Sequence, residues 1–407
     1  MSSKKKKDLS ITVMSFYMKI VGFWLASDKA ERSLRKFAMI YTVIALLIAI
    51  VVEARDIYFS WGDFSEFIYI LCNVVDVCLV LYKILICFLH KKELLNLIQY
   101  AKTHFWHTNY DPREQMIMDS CKYTCTLLVC TFTFFIQGTI ISYIVRPIAA
   151  NVGKNESDRV LPFNLWLDLP VSFSPYFEIV FVIQVLSLNH VGVCYLCFDN
   201  FLCILNLHTA SQFRILQYRF ANLGGRNGQE CYKIQKKPSY STDKYARFKN
   251  IVEQHQALIE YCRRIEDVFT LIVLGQMLIF SLLICLNGYM ILMDDAPLTK
   301  RLMFGFHIMG SMCQLLMFTY SCDCLTQESM NVANAVYGSL WPSLPMDKSG
   351  WMLRRDMTFV ILRSNMPCCL TAGGFFVVSL ETYTGILSTA VSYFTLLRNH
   401  VEVAVNG

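Results

Sequence analysis

Phe37 to Val52 reads FAMIYTVIALLIAIVV, sixteen positions without a charge, a proline or a glycine. Bounded by Lys36 and Glu53, the stretch extends over 36–54. It reaches the roughly 20 apolar residues that a helix needs to cross about 30 Å of hydrocarbon. Six further stretches repeat the pattern, at 65–89, 122–145, 173–197, 268–293, 302–323 and 375–397. Composition agrees: the 407-residue chain is 55% hydrophobic and 17% charged. Soluble domains average about 45–50% and about 25%. A chain so poor in charge cannot cover its own surface with polar groups. The expected fold is all-α, a polytopic membrane protein of seven transmembrane helices, and a water-soluble enzyme is excluded.

The distribution of Lys and Arg gives the direction of insertion. Segments 1–36, 90–122, 212–265 and 325–366 hold 29 basic residues, against six in 55–64, 146–172, 294–301 and 399–407. The N-terminus is therefore expected in the cytoplasm and, after seven crossings, the C-terminus outside. The one N-x-S/T sequon, Asn155-Glu156-Ser157, falls in an expected external loop and makes Asn155 the candidate glycosylation site. Lys4 to Lys7 before the apolar run Ile11 to Leu25 resemble a signal peptide, but Lys19 interrupts the run and no small-residue cleavage site follows. An amphipathic helix in the cytoplasmic interface fits better.

Seven spans first suggest a G-protein-coupled receptor, but that class inserts the other way round. Its Asp-Arg-Tyr and Asn-Pro-x-x-Tyr motifs are also absent here. Phosphate loops, H-E-x-x-H and G-x-S-x-G are missing as well, and no internal repeat suggests a transporter. The 17 cysteines are odd in number and lie mostly in apolar runs, as buried hydrophobes do. Cys194 and Cys197 form a lone C-x-x-C that no histidine set completes. No cofactor, metal or nucleic-acid partner is expected.

Helical patterning outlasts the membrane in two places, from Phe198 to Asn222 and from Tyr245 to Asp267, across a Gly-rich link at 224–242. Span six likewise continues toward Trp341, and 348–366 is basic and amphipathic. Val332, Val336, Leu340, Trp351, Phe359 and Ile361 recur at helical spacing, which favours burial in a cytoplasmic oligomerisation platform over solvated helix ends. The expected divisions are an N-terminal segment with its interfacial helix (1–35), spans one to four (36–197), a cytoplasmic extension and loop (198–267), spans five and six (268–323), a cytoplasmic anchor (324–374), and the last span with an external C-terminus (375–407). Asp76 and Lys83 on span two are ionisable at membrane depth. Seven residues apart, they are separated by about 10 Å of helix rise, too far to pair. Lys83 is expected to snorkel toward the cytoplasm, and Asp76 requires a partner elsewhere.

On a 3.6-residue period the last span places Glu381, Gly385, Ser388, Ser392, Leu396 and Asn399 on one face, with Leu380, Ile386, Val391 and Phe394 opposite. A stripe of small and polar residues is either a close-packing seam or the wall of a water path.

The end of that helix, Ser392-Tyr393-Phe394-Thr395-Leu396-Leu397-Arg398-Asn399, resembles the C-terminal signature of insect odorant receptors. Thr371-Ala372-Gly373-Gly374-Phe375-Phe376, Ser379-Leu380-Glu381-Thr382-Tyr383 and Ile361-Leu362-Arg363-Ser364-Asn365-Met366-Pro367 are similar to the same family's final region. The gustatory signature of Thr-Tyr, five apolar residues and Gln-Phe is only approximated, by Ser392-Tyr393 and Asn399-His400.

The resemblance implies an odour-specific subunit of an odorant-gated cation channel, tetrameric with a shared odorant receptor co-receptor. The setting it implies is the plasma membrane of olfactory sensory neurons. Carried over by position, the seventh helices surround the pore, with Leu396 at a hydrophobic constriction, Ser392 one turn deeper and Asn399 at the external mouth. His400 stands where the co-receptor is apolar, and Glu381 either faces the inner path or bonds to a neighbouring helix. For a volatile hydrophobic ligand the resemblance implies the outer halves of spans two, three, four and six. The residues there are Tyr69, Ile70 and Asn73; Phe134, Gln137 and Ile141; Phe177, Val180 and Phe181; and Met303, His307 and Ser311. The rival readings are a self-sufficient gustatory-type channel and a metabotropic receptor acting through the basic loops.

Overall fold

The computed structural model describes residues 8–62, 64–106, 109–165, 172–223, 238–292, 298–339 and 348–406, apart from the side chains of 65, 238–243, 349 and 400–406. Ten α-helices form in these residues: α1 (Leu9–Val21), α2 (Lys29–Phe59), α3 (Phe64–Leu89), α4 (Lys91–His104), α5 (Pro112–Ala150), α6 (Tyr176–Ala221), α7 (Pro238–Leu292), α8 (Leu298–Tyr337), α9 (Lys348–Ser364) and α10 (Leu380–Asn406). No strand is present among them. Six of the helices, α2, α3 and α5 to α8, are long and apolar enough to cross a membrane by length and composition. The seventh expected span, α10, carries the small and polar stripe and is less apolar than these. Phe37, Ile40, Ile44, Leu47 and Val51 lie exposed along α2, an apolar face suited to lipid rather than water.

Local sequence explains where the helices begin. Asp28 caps α2 by accepting from Glu31 N at 2.7 Å, while Ser27 N donates back to Glu31 at 2.9 Å. The backbone N–H and hydroxyl of Ser27, with Arg35, hold the Glu31 carboxyl at about 2, well below the usual range. Asp111, Pro112 and Glu114 start α5 with a capping box.

At the centre stands α6, 46 residues and about 70 Å long. Every residue from Cys194 to Ser211 is buried, so its middle is enclosed on all sides, chiefly by α8, α5, α1 and α7. The extensions of α6, α7 and α8 expected beyond the membrane are continuous with the spans, and α9 packs on α7 and α8. With α1 and α4 they make one end of the bundle, called the basic end below. Val332 and Val336 are fully buried there, but Trp351 and Phe359 are 60% and 62% exposed. Leu340 and most of the Gly-rich link lie outside the described residues.

Three expectations need correction. Lys83 does not snorkel: it is fully buried, with Nζ 2.8 Å from Asp199 on α6. An unpaired ammonium ion there would be costly, and Asp199 offers the counter-charge on the neighbouring helix. The last helix starts at Leu380, not 375. Gly373 and Gly374 adopt φ of 60° and 78°, a turn open to glycine, and Ala372 N bonds to Phe376 O at 2.9 Å. This turn docks on α7 through Gly373 N to Thr270 O at 3.1 Å and Thr371 N to Glu266 at 2.9 Å. Finally, α1 packs into the bundle, with Met14, Met18 and Val21 fully buried against α6, α5 and α2, because its apolar face finds protein.

His255 on α7 is 3% exposed, with its ring centroid 6.1 Å from that of Phe213. Burial, with Arg363 nearby, pushes the imidazole down to about 4. Its folded value is depressed below the unfolded value of about 6.5, so the unfolded chain binds the extra proton as pH falls. Stability contributed by the neutral ring should thus decline between about pH 6.5 and 4, by about 2 kcal/mol at pH 5. Thermal unfolding in detergent at a series of pH values should show that decline, and His255→Gln should flatten it.

Candidate functional site

Between the parts of α2, α3, α5, α6 and α8 remote from the basic end lies a cavity of about 390 Å³. Such a volume suits a small organic molecule. Helix α2 contributes Ala45, Ala49, Val52 and Glu53, and α3 contributes Asn73, Asp76 and Val77. From α5 come Ile136, Thr139, Ile140 and Tyr143, spaced to share one helix face. The long wall belongs to α6, through Val180, Gln184, Ser187, Val191, Gly192 and Tyr195; His307 of α8 completes it.

Phe163 and Leu165, from the segment between α5 and α6, cover the cavity. Gln184 latches that cover in both directions. Phe163 N donates to its Oε1 at 3.1 Å and its Nε2 donates to Phe163 O at 2.9 Å. The Phe163 ring stacks on Tyr143 with centroids 5.9 Å apart.

The polar groups are few and placed together. His307 Nε2 lies 2.8 Å from Asp76 Oδ2, which supplies the partner that Asp76 required. The Tyr143 hydroxyl donates to Asn73 Oδ1. Asp76 Oδ1, Asn73 Nδ2 and His307 Nδ1 are buried without a hydrogen-bond partner among the described residues. Buried polar atoms rarely stay unpaired, so these three are open valences for a ligand.

Below the cavity floor runs a wholly buried network. Tyr195 donates to Gln314 at 2.6 Å, and Gln314 donates to Asp199. Asp199 also accepts from Lys83 and from Gln276 at 3.2 Å. Four helices, α3, α6, α7 and α8, are thereby tied to the residue that closes the cavity.

On the face of α6 that meets α5, a Cβ built on Gly192 would lie 2.4 Å from Ile140 Cδ1. Gly192→Ala should therefore displace Ile140 and destabilise the bundle by about 1–3 kcal/mol. A thermal-shift measurement on the purified variant checks this.

Of the residues proposed from sequence, Asn73, Val180 and His307 line the cavity. Tyr69, Ile70 and Met303 sit beside it in a separate apolar cluster that shares Tyr143. Phe134 and Ile141 are 62% and 56% exposed on the outside of α5, and half-buried Gln137 does not line the cavity. Phe177 and Phe181 line a shallow groove between the ends of α5 and α6. Ser311 is buried and donates to His307 O in its own helix at 3.0 Å. Sequence reading missed α2, the covering segment, Gln184 and Tyr195. The spacing of Ile136, Ile140 and Tyr143 and the lone carboxylate of Glu53 at the end of an apolar run were the available signals.

On α10, Glu381, Gly385, Ser388, Ser392, Leu396 and Asn399 are all exposed, and space beside Gly385 is open. Tyr383, Ile386, Leu387, Ala390, Phe394 and Leu397 turn inward to pack on the protein. Of the opposite face expected from sequence, Ile386 and Phe394 pack, whereas Leu380 and Val391 are exposed. Helix α10 rests mainly on α7, the helix that also carries Gln276. The side chain of His400 lies outside the described residues. Asn155 is exposed at the start of a single 3-10 turn, Glu156–Asp158.

A bundle of membrane helices around a small, covered, mostly apolar cavity defines a multi-pass membrane receptor for a small ligand. The chain belongs to the 7tm Odorant receptor family, whose model matches residues 63–391. It is similar to odorant receptor 13a of Drosophila melanogaster, 26% identical over 97% of this chain and 96% of that one. Odorant receptor 10 of Aedes albopictus is 25% identical over 96% and 98%. The structure of the insect olfactory receptor OR5 from Machilis hrabei shares the fold, with a TM-score of 0.78 at 13% identity over 95% of this chain and 97% of that chain. That receptor's structure in complex with eugenol gives 0.76. The family is one of receptors, not enzymes.

Proposed function

We propose that the chain is an odour-specific subunit of a heteromeric, odorant-gated, non-selective cation channel, formed with the odorant receptor co-receptor in the plasma membrane of olfactory sensory neurons. The N-terminus and basic end face the cytoplasm, as the excess of Lys and Arg there favours, and the glycan acceptor Asn155 is external. The observation that carries the reading is the covered cavity of about 390 Å³ with its three open polar valences. It fits a volatile with an apolar body and one oxygen function, held by Asp76, Asn73 or His307. The exposed stripe of α10 supports a pore shared with other subunits, with Leu396 at the constriction and polar neighbours keeping the path wet. Glu381 would favour cations. Gating needs only that the ligand bind the open arrangement more tightly than the closed one.

The test is voltage-clamp recording from cells expressing this chain with and without the co-receptor, under a block of G-protein signalling, while volatiles are applied. Currents that need both chains are expected. Currents from this chain alone would place it with self-sufficient gustatory-type channels, and responses lost under the block would make it metabotropic.

A further inference from the structure

At the basic end, away from the cavity, the third and fourth turns of α5 and the extension of α6 bring three metal-ligating side chains together, with a carboxylate from the start of α1 beside them. Cys121 and Cys125 are one turn apart on the inner face of α5, with sulfurs 3.9 Å apart. His208 of α6 faces them, and the ligand atoms of these three residues all lie within 4.8 Å of one another. All three side chains are buried, His208 to 1% exposure. Beside this cluster of three stands Asp8, the N-cap of α1, whose Oδ2 lies 3.8 Å from His208 Nε2 and which a small shift of the α1 start would bring to a shared ion.

The hydrogen bonding is incomplete in a particular way. Neither ring nitrogen of His208 has a partner among the described residues, and neither has Asp8 Oδ2. The other oxygen, Asp8 Oδ1, is occupied by Ser10 N at 3.1 Å and Ser10 Oγ at 2.6 Å. A buried imidazole and carboxylate oxygen left unpaired should cost several kcal/mol. A cation bound by lone pairs would answer the imidazole, the carboxylate and both sulfurs at once. The sulfur spacing also fits: tetrahedral Zn²⁺ with bonds of about 2.3 Å holds two sulfurs about 3.8 Å apart.

We propose that Cys121, Cys125, His208 and Asp8 form a structural zinc site that pins the N-terminal helix to α5 and α6. Binding releases the two thiol protons, and the two thiolates and carboxylate leave a net charge of −1 on the filled site. Four protein ligands leave no open position, so the ion is structural, not catalytic. The pair involved is not the C-x-x-C at Cys194 and Cys197 but Cys121 and Cys125, whose histidine lies 83 residues further on. The ligands come from three separate helices.

The test uses the full chain purified in detergent without chelators. Elemental analysis should find about one zinc per chain, and exchange with Co²⁺ should give the absorption of a tetrahedral cobalt thiolate. Cys125→Ala should bring zinc to background. Asp8→Asn keeps a capping side chain for α1, so it should fold, lose zinc faster to a chelator and shift the cobalt bands. Zinc content unchanged in Cys125→Ala would overturn the proposal, as would a wild-type chain with neither zinc nor the cobalt thiolate bands. A Cys121–Cys125 disulfide found by mass spectrometry would overturn it too.

Discussion

Lys83→Met should destabilise the folded receptor by about 3–5 kcal/mol, and Asp199→Leu by at least as much, while the two changes together should restore only part of the loss. Each single change strands one buried charge. Lys83 and Asp199 are 0% and 1% exposed, and the ion pair is held by bonds of 3.0 and 2.8 Å. Asp199 is also the acceptor on which Gln276 and Gln314 converge, so its removal frees donors on α7 and α8 as well. The doubly substituted chain has no stranded charge, but the buried Gln276 and Gln314 donors still lack their acceptor, so recovery stops short of the parent. Thermal unfolding of the four proteins in detergent, followed by tryptophan fluorescence, measures the coupling. Single variants as stable as the parent would show that the pair contributes nothing.

Leu396→Ser should raise the current that flows without ligand. The Leu396 side chain is 70% exposed on the isolated subunit, on the stripe proposed to line the pore. A ring of such side chains closes by excluding water. Losing one buried isobutyl group weakens the closed state by about 2 kcal/mol, a shift of about 30-fold in the closed-to-open ratio. Leak conductance at matched surface expression is the measurement. An unchanged leak would remove Leu396 from the constriction.

Much of this fold is legible in sequence because a membrane imposes one-dimensional rules. An apolar run such as 37–52 has few alternatives to a spanning helix, and the helical period continues audibly through Phe198–Asn222 into the extension of α6. What was not legible depends on which face meets which neighbour. On α5 the inward residues are Ile136, Ile140 and Tyr143, and the neighbouring stripe also carries large apolar residues, Phe134 and Ile141. Hydrophobicity cannot choose between two such stripes when the outside is lipid. Lys83 read as a snorkelling side chain because its partner is 116 residues away on α6. The early start given to the last span has a similar origin: Phe375 to Val378 are apolar, but they belong to the turn at Gly373 and Gly374 that docks on the middle of α7 at Glu266 and Thr270. The polar stripe of α10 was visible because it departs from the composition around it.

If a ligand in the cavity controls a gate elsewhere, a single set of recordings shows it. Val191 lines the cavity, whereas Leu186, on the same helix, is 65% exposed on the outside. Dose–response curves to an activating volatile would be recorded for the parent, Val191→Phe, Leu186→Phe, and Val191→Phe combined with Leu396→Ser. Val191→Phe should move the half-maximal concentration upward by about tenfold or more, equivalent to about 1.4 kcal/mol, while Leu186→Phe should leave it in place. The combined variant should leak without ligand and respond poorly to it. Equal sensitivity in the Val191 and Leu186 variants would contradict the cavity as the ligand site.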